Sequence, residues 1–293
     1  MYNNAKVFDV RQIVFLGEIM SLDIIKEKTD LTYLKWSHIR GSSGTAGTFL
    51  KSQSSINGVK RYYKLSNFDM EKGVIGHECI NEIIVARLLT ILGVEHLEYK
   101  LINADISVDG RIYNTYLCAS EDFKERGESK VALDDYFRVN QVKGESRYDF
   151  CVRNGWKDYI DRMIAIDFII LNRDRHGANI EILRNSRAHT FRPAPLFDHG
   201  LSLLYSCNSE EDVKKFDVMD DKACQNFIGS RSCFDNLQLI KGLGEVFPNR
   251  LNKSDKAYLF EGLEDILPSI YLDKIWKMIS KRYKVYEDIR DNK

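Results

Sequence analysis

The chain has 293 residues, 44% of them hydrophobic, and 43 Lys plus Arg against 43 Asp plus Glu, enough for one two-lobed domain or two small ones. This balance supplies no overall attraction for nucleic acid or an anionic membrane, so any basic binding patch must be local. Six cysteines without Cys-x-x-Cys or zinc spacing, no apolar run of bilayer length, and a 7–20 stretch broken by Asp9, Arg11 and Glu18 point to a cytoplasmic protein with reduced thiols, no membrane span and no cleaved signal.

Residues 1–32 read as an accessory segment, with a short strand at Ile13–Leu16 and a short helix over 22–28 opened by Ser21 or Asp23. Residues 33–40 alternate as a strand and run into Gly41-Ser42-Ser43-Gly44-Thr45-Ala46-Gly47. Three glycines and several small hydroxyl residues make a turn whose backbone N–H groups can cradle phosphates, although no Gly-Lys-Ser/Thr opens a helix there. The next strand, residues 59–66, carries Lys64. A helix over 76–92 follows, with apolar residues at helical spacing and Gly93 at its end. Glu82 inside it is the expected carboxylate partner for a lysine on the preceding strand, with Glu78 one turn earlier as the competitor. Strands over 98–106 and 111–119 are joined by Asp109-Gly110, a hairpin signal. The second runs into Ser120-Glu121-Asp122-Phe123, expected as a linker where the backbone of Cys118, Ala119, Ser120 and Glu121 meets a nucleotide base.

Beyond a charged stretch at 121–128, short helices over 132–139 and 148–152 lead to a strongly apolar helix over 158–171, which Gly177 is expected to stop. Asn172-Arg173-Asp174-Arg175-His176-Gly177-Ala178-Asn179 places an Asp and an Asn five positions apart at the end of that helix. Phosphotransferases use this pattern because the Asp orients a substrate hydroxyl and accepts its proton, while the Asn oxygen is a hard ligand for Mg²⁺. A strand over 180–183 and an apolar run over 191–197 then deliver Asp198-His199-Gly200, a second carboxylate with a glycine that lets the chain turn away. The remainder reads as helical over 237–243, 254–266 and 268–289.

In this order, the 172–179 motif, Ala194-Pro195-Leu196-Phe197-Asp198 and the Asn81-Glu82 helix ending in Leu92-Gly93 resemble signatures of the HipA-like kinases, in particular the compact CtkA-type members. The likeness spans residues 39–204. The Asp-Arg-His-x-x-Asn wording is also similar to phosphoinositide kinases. The resemblance implies an α+β, two-lobed protein-kinase-like fold. Residues 33–120 form a small antiparallel β lobe with one helix, and 121–293 a larger, mainly helical lobe. It also implies ATP and Mg²⁺ as cofactors, Asp174 as catalytic base, Lys64 on the ATP phosphates, Glu82 positioning Lys64, and Asn179 and Asp198 as metal ligands. Arg173 and His176 support the loop, and residues 41–47 cover the nucleotide. Ser42, Ser43 and Thr45 become candidate autophosphorylation sites, because serine phosphorylation of this loop shuts the family's enzymes down. The expected partner is a protein with a Ser or Thr acceptor, the chain itself included. The alternatives are a lipid or small-molecule kinase, or a nucleotide-binding pseudokinase or toxin-like interaction module. No Ala-Pro-Glu follows Asp198, which sets the chain apart from eukaryotic protein kinases regulated through an activation segment.

Overall fold

The computed structural model describes residues 23–39, 46–56 and 58–291. In chain order these form β1 (Ile24–Asp30), β2 (Ser37–Ile39), β3 (Ala46–Ile56), β4 (Val59–Lys64), β5 (Phe68–Asp69), β6 (Gly73–Val74), α1 (Glu78–Leu92), β7 (Lys100–Val108) and β8 (Arg111–Glu121). There follow β9 (Glu128–Ala132), α2 (Leu133–Asn140), α3 (Arg147–Arg153), α4 (Lys157–Ile169), β10 (Asp174–Arg175), β11 (Glu181–Asn185) and β12 (Thr190–Pro193). The chain closes with α5 (Glu210–Lys215), β13 (Gln225–Asn226), α6 (Cys233–Leu237), α7 (Asp255–Phe260) and α8 (Ser269–Arg290). The architecture is mixed α+β, with strands concentrated early and helices late.

Six strands make the main sheet in the order β1-β7-β8-β4-β3-β2. The β7–β8 hairpin turns at Asp109 and Gly110, both at positive φ (49° and 80°), which is the backbone that matches the twist of the flanking strands. Between β3 and β8, β4 carries Lys64 opposite Lys51 on one side and Cys118 on the other. The expected helix over 22–28 is instead strand β1, which pairs in parallel with β7 from Ile24↔Leu101 to Asp30↔Asp105. Its cross-strand partners lie more than seventy residues away, and that non-local pairing overrides local propensity. The strand expected over 33–40 is confined to β2.

Two apolar clusters lie on either side of this sheet. One gathers Leu31, Leu34, Leu50, Leu65, Ile106 and Leu117. The other is larger and joins α1 to α4 and α8 through residues such as Ile83, Leu88, Ile164, Phe168, Ile275 and Ile279. Each fully buried Ile or Leu contributes roughly 1.5–3 kcal/mol relative to exposure. Helix α1 is buried nearly all round, its polar Glu78, Asn81, Glu82 and Arg87 included. Gly93 ends it at φ 72°, its N–H bonded to Thr90 O and that of Val94 to Leu89 O.

Helix α4 stops earlier and differently from expectation. Leu171, not Gly177, takes the left-handed conformation (φ 53°), and the N–H groups of Leu171 and Asn172 bond to Phe168 O and Asp167 O at 3.2 and 2.9 Å. Gly177 lies in a 3-10 turn with Ala178 and Asn179. The charged stretch before α2 contributes β9, which pairs with β11 to make a three-stranded sheet with β12. The helix expected over 237–243 is the short α6 followed by a 3-10 turn at Gln238–Ile240, and the one over 254–266 is helical only as α7. Among the described residues, no helix is long and apolar enough to cross a membrane. All six cysteines are buried free thiols.

Candidate active site

Lys64, at the end of β4, points its ammonium at two carboxylates. Nζ lies 3.0 Å from Glu82 Oε1 and 2.7 Å from Asp198 Oδ1. Burial works against this charge, but Asp198 and Glu82 outweigh it and hold the ammonium well above the ordinary lysine range, as two near anions do. Glu82 is fully buried, and its other oxygen accepts the backbone N–H of His199 at 2.8 Å. One side chain on α1 therefore fixes both the lysine and the turn after Asp198. Glu78 is not the lysine's partner; its Oε2 accepts the N–H of Asn67 at 3.0 Å.

The Asp198 turn is built by several groups that the sequence left unremarked. Tyr99 OH accepts the Asp198 N–H at 3.2 Å, and Asn81 Nδ2 donates to Gly200 O and Ser202 O at 3.0 Å each. Asp198 itself adopts φ 60°, so the chain reverses at the aspartate and not at the glycine. Gly200 has another use. A Cβ there would stand 3.1 Å from Glu78 Cβ and 3.3 Å from both Glu82 Oε1 and Lys64 Nζ, so only a bare backbone approaches the ion cluster without displacing it. Burial, with the nearby Arg175 charge, keeps the His199 imidazole well below its usual range and hence neutral.

The 172–179 loop is organised from beneath by Arg175. Its guanidinium is 1% exposed and forks onto Asp167 of α4 at 3.1–3.2 Å. The same group donates to Phe197 O at 2.8 Å and Asn179 O at 3.4 Å, so one cation ties α4, the Asp174 loop and the segment leading into Asp198 together. Asn172 adds a second brace, donating to Asp167 Oδ1 at 2.8 Å and accepting the Asp174 N–H at 3.1 Å. Asn179 Nδ2 donates to Asp174 O at 3.0 Å and lies 3.4 Å from its Oδ2. His176 Nδ1 accepts the Ala178 N–H, and Nε2 stands 3.5 Å from Asp174 Oδ1. Arg173 donates to Ala223 O at 2.6 Å, fastening the loop to the segment before β13.

Lys64 and Asp198 line a cleft of about 580 Å³ together with Leu34, Cys118, Ser120, Glu121, Phe123, Lys130, Glu181 and Phe197. Phe123 and Phe197 face each other with ring centroids 5.7 Å apart, and Lys130 Nζ lies 3.8 Å over Phe123 and 3.4 Å from Glu181 Oε2. Of the four residues expected at a base, Cys118, Ser120 and Glu121 line the cleft, whereas Ala119 sits in the cluster on the opposite face of the sheet. Cys118 and Ala119 pair with both β4 and β7, and Ser120 and Glu121 pair with β4. Gly41, Ser42, Ser43, Gly44 and Thr45 lie outside the described residues, and Ala46 and Gly47 open β3.

Asn179 and Asp198 offer hard oxygens suited to Mg²⁺, which is usually held by one or two side chains together with substrate phosphates. Among the described residues, no group of three or more His, Cys, Asp and Glu side chains forms a preassembled metal cage. The donor set therefore fits a metal brought in with a nucleotide better than a resident one.

No family profile matches the sequence, and no curated protein does. Among solved structures, the chain superposes on a proinflammatory kinase, CtkA, from Helicobacter pylori with TM-score 0.59 and 16% identity, over 91% of this chain and 97% of that one. The chain therefore shares the fold of that kinase. A looser superposition, TM-score 0.40 at 17% identity, covers 83% of this chain and 58% of HipA from the HipA, HipB and operator DNA complex of the Shewanella oneidensis MR-1 toxin–antitoxin system; nothing about this chain is argued from it.

Proposed function

We propose that this HipA-like kinase fold is an ATP- and Mg²⁺-dependent phosphotransferase that acts on serine or threonine hydroxyls of proteins. The observation that carries the reading is the Lys64–Glu82 ion pair meeting Asp198 in the cleft, with the Asp174–Asn179 loop bonded through Arg175 to Phe197, the residue before Asp198. Phosphoryl transfer passes through a loose transition state and needs positioning and charge neutralisation more than covalent chemistry.

In the two-lobed reading, residues 33–120 grip the nucleotide and 121–293 carry the Asp174 and Asp198 loops. Lys64, held extended by Glu82, meets the ATP phosphates, and Phe123 with Phe197 supplies an apolar seat for the base. Mg²⁺, when bound by Asn179 and Asp198, supplies charge neutralisation at the phosphates. Asp174 orients the acceptor hydroxyl and takes its proton as the oxygen bonds to the γ-phosphorus. The bond from that phosphorus to the β–γ bridging oxygen breaks, and ADP leaves with the electron pair. Asn172, Asn179 and His176 hold the carboxylate for this task. Ser42, Ser43 and Thr45, outside the described residues, are the self-acceptors in this reading.

Purified protein incubated with radiolabelled ATP and Mg²⁺ is expected to label itself and a generic protein acceptor. Label should vanish in Asp174→Asn and in Asp198→Asn. Equal incorporation by Asp174→Asn would remove the assigned base.

A further inference from the structure

A second cavity, of about 500 Å³, borders the Asp174 loop and shares no lining residue with the nucleotide cleft. Its wall includes His176 and Gly177 of that loop, Asp134 of α2, Arg147 of α3, and Phe227 and Arg231 from the segment around β13. The cavity is structurally part of the loop's own support. Strand β13 pairs with β10 (Asp174↔Gln225, Arg175↔Asn226), and Phe227 N–H bonds to Arg175 O at 2.7 Å. A Cβ at Gly177 would overlap the Asp134 carboxyl group, so glycine lets Asp134 lie against the loop backbone.

We propose, on the phosphotransferase reading above, that this cavity seats the acceptor segment and selects hydroxyls flanked by an anionic side chain, either a carboxylate or a phosphate. Charge is the main argument. Arg147 and Arg231 make no ion pair among the described residues, whereas Arg153 bonds Glu145 and Arg192 bonds Glu128. The Arg147 guanidinium is half-buried over the rings of Phe137 and Phe227, 5.6 and 5.4 Å from their centroids. Such stacking fixes the plane of the group and leaves its N–H edge for a bidentate anion. Asp134 is the only carboxylate in the wall. Asp221 and Asp235, on the same segment as Arg231, accept hydroxyl hydrogen bonds from Ser232 and Ser230 and do not line the cavity. Two guanidinium groups against one carboxylate in the wall leave the cavity attractive to anions. Asp134, beside Gly177, is placed to accept a backbone N–H from the acceptor chain, which an extended peptide presents and a bare anion does not.

Fluorescent serine peptides that differ only in the flanking residues (glutamate, phosphoserine, glutamine or lysine) test this by anisotropy and by transfer from labelled ATP. Glutamate or phosphoserine peptides should bind and be labelled about tenfold better than the lysine peptide, in line with a charge-assisted hydrogen bond. The exposed change Arg231→Glu and the double change with Arg147→Glu should lower or invert that preference, while Arg147→Lys retains part of it. Magnesium-dependent ATP binding, which uses none of these residues, reports that the variants are folded. Anionic peptides that bind with arginine dependence but carry no label would uphold the cavity and overturn the phosphotransfer reading. A flat or basic preference, or an anionic preference unchanged by Arg231→Glu and by the double variant, would overturn the cavity assignment.

Discussion

Replacing Glu82 by Gln removes one charge and no volume, which makes it a sharp probe of the site. Both oxygens are in use, Oε1 on Lys64 at 3.0 Å and Oε2 on the His199 N–H at 2.8 Å, in a fully buried position. A glutamine amide can accept at only one of these places, so its NH₂ must face either the ammonium or the His199 N–H. Losing one member of a buried, hydrogen-bonded ion pair costs about 3–5 kcal/mol. An unfolding entropy near 2.1 cal/mol/K per residue over 293 residues is about 0.6 kcal/mol/K, so the melting temperature should fall by about 5–8 °C. Glu78→Gln is the matched control. It lies on the same helix and is equally buried but accepts one N–H from Asn67, a bond that glutamine can keep, so its cost should stay near 1 kcal/mol. Transfer by Glu82→Gln should drop about a hundredfold, the scale of losing one preorganised electrostatic contact. Melting curves by circular dichroism and initial rates with saturating ATP measure both. If the two variants melt within about 2 °C of each other and of the parent, the ion pair does not hold the site and the reasoning fails.

Asp198→Asn should abolish metal-dependent transfer while the protein stays folded, with a smaller fall in melting temperature than Glu82→Gln, because Asn tolerates the φ of 60° found there, Asp198 is partly exposed and Lys64 keeps Glu82; incorporation and melting together check it. Acidification should destabilise the protein through His77, which is 8% exposed and whose pKa burial lowers from 6.5 to about 4. The unfolded chain then binds the extra proton, so stability is complete above pH 6.5 and is lost as pH falls toward 4; between pH 7.5 and 5.5 the loss is about 1.3 kcal/mol. A urea midpoint that rises over that interval would contradict the sign. All six thiols are buried and unpaired, so a disulfide reagent should titrate none quickly in the native protein and six in denaturant.

The parts of the site that were legible in the sequence are those made by local pattern. Helix α1 shows its period and carries Glu82 inside it, the β7–β8 hairpin shows its Asp-Gly turn, and Lys64, Asp174 and Asn179 stand where short elements begin or end. What stayed hidden is non-local. Strand β1 reads as a helix start because its parallel partner β7 lies far down the chain. Arg175 looks like any loop cation until its burial against Asp167 is seen, and Tyr99 lies just ahead of β7 with no motif to mark it. Gly200 reads as a turn glycine, but in the structure its lack of a Cβ matters more than its backbone freedom. Helices α6 and α7 end at Leu237 and Phe260 although buried apolar residues continue at Ile240, Leu263 and Leu267, so apolar content by itself does not mark a helix end.

Among the described residues, three of the five non-glycine residues at positive φ fall around one place, the other two, Asp109 and His189, lying elsewhere. Leu171, Asp198 and Leu203 adopt left-handed backbone at φ 53°, 60° and 55°, a region that disfavours side chains by roughly 1–2 kcal/mol per residue. The fully buried Asp167–Arg175 pair is also expensive to desolvate, and burial pushes the Asp167 carboxyl above its usual range in spite of the arginine. These features are linked covalently and by hydrogen bonds. Leu203 N–H bonds Ile170 O at 2.7 Å, and Arg173 N–H bonds Leu201 O at 2.9 Å, so the two unusual turns are zipped against each other. A fold that needed only stability would place glycine at such turns and a hydrocarbon at position 175. Strain of this kind persists where surrounding contacts over-determine it and clusters at sites that must hold a geometry. Here that geometry is the placing of Asp174 and Asp198 on a common strut, Arg175, with Lys64 and Glu82 closing it from the sheet.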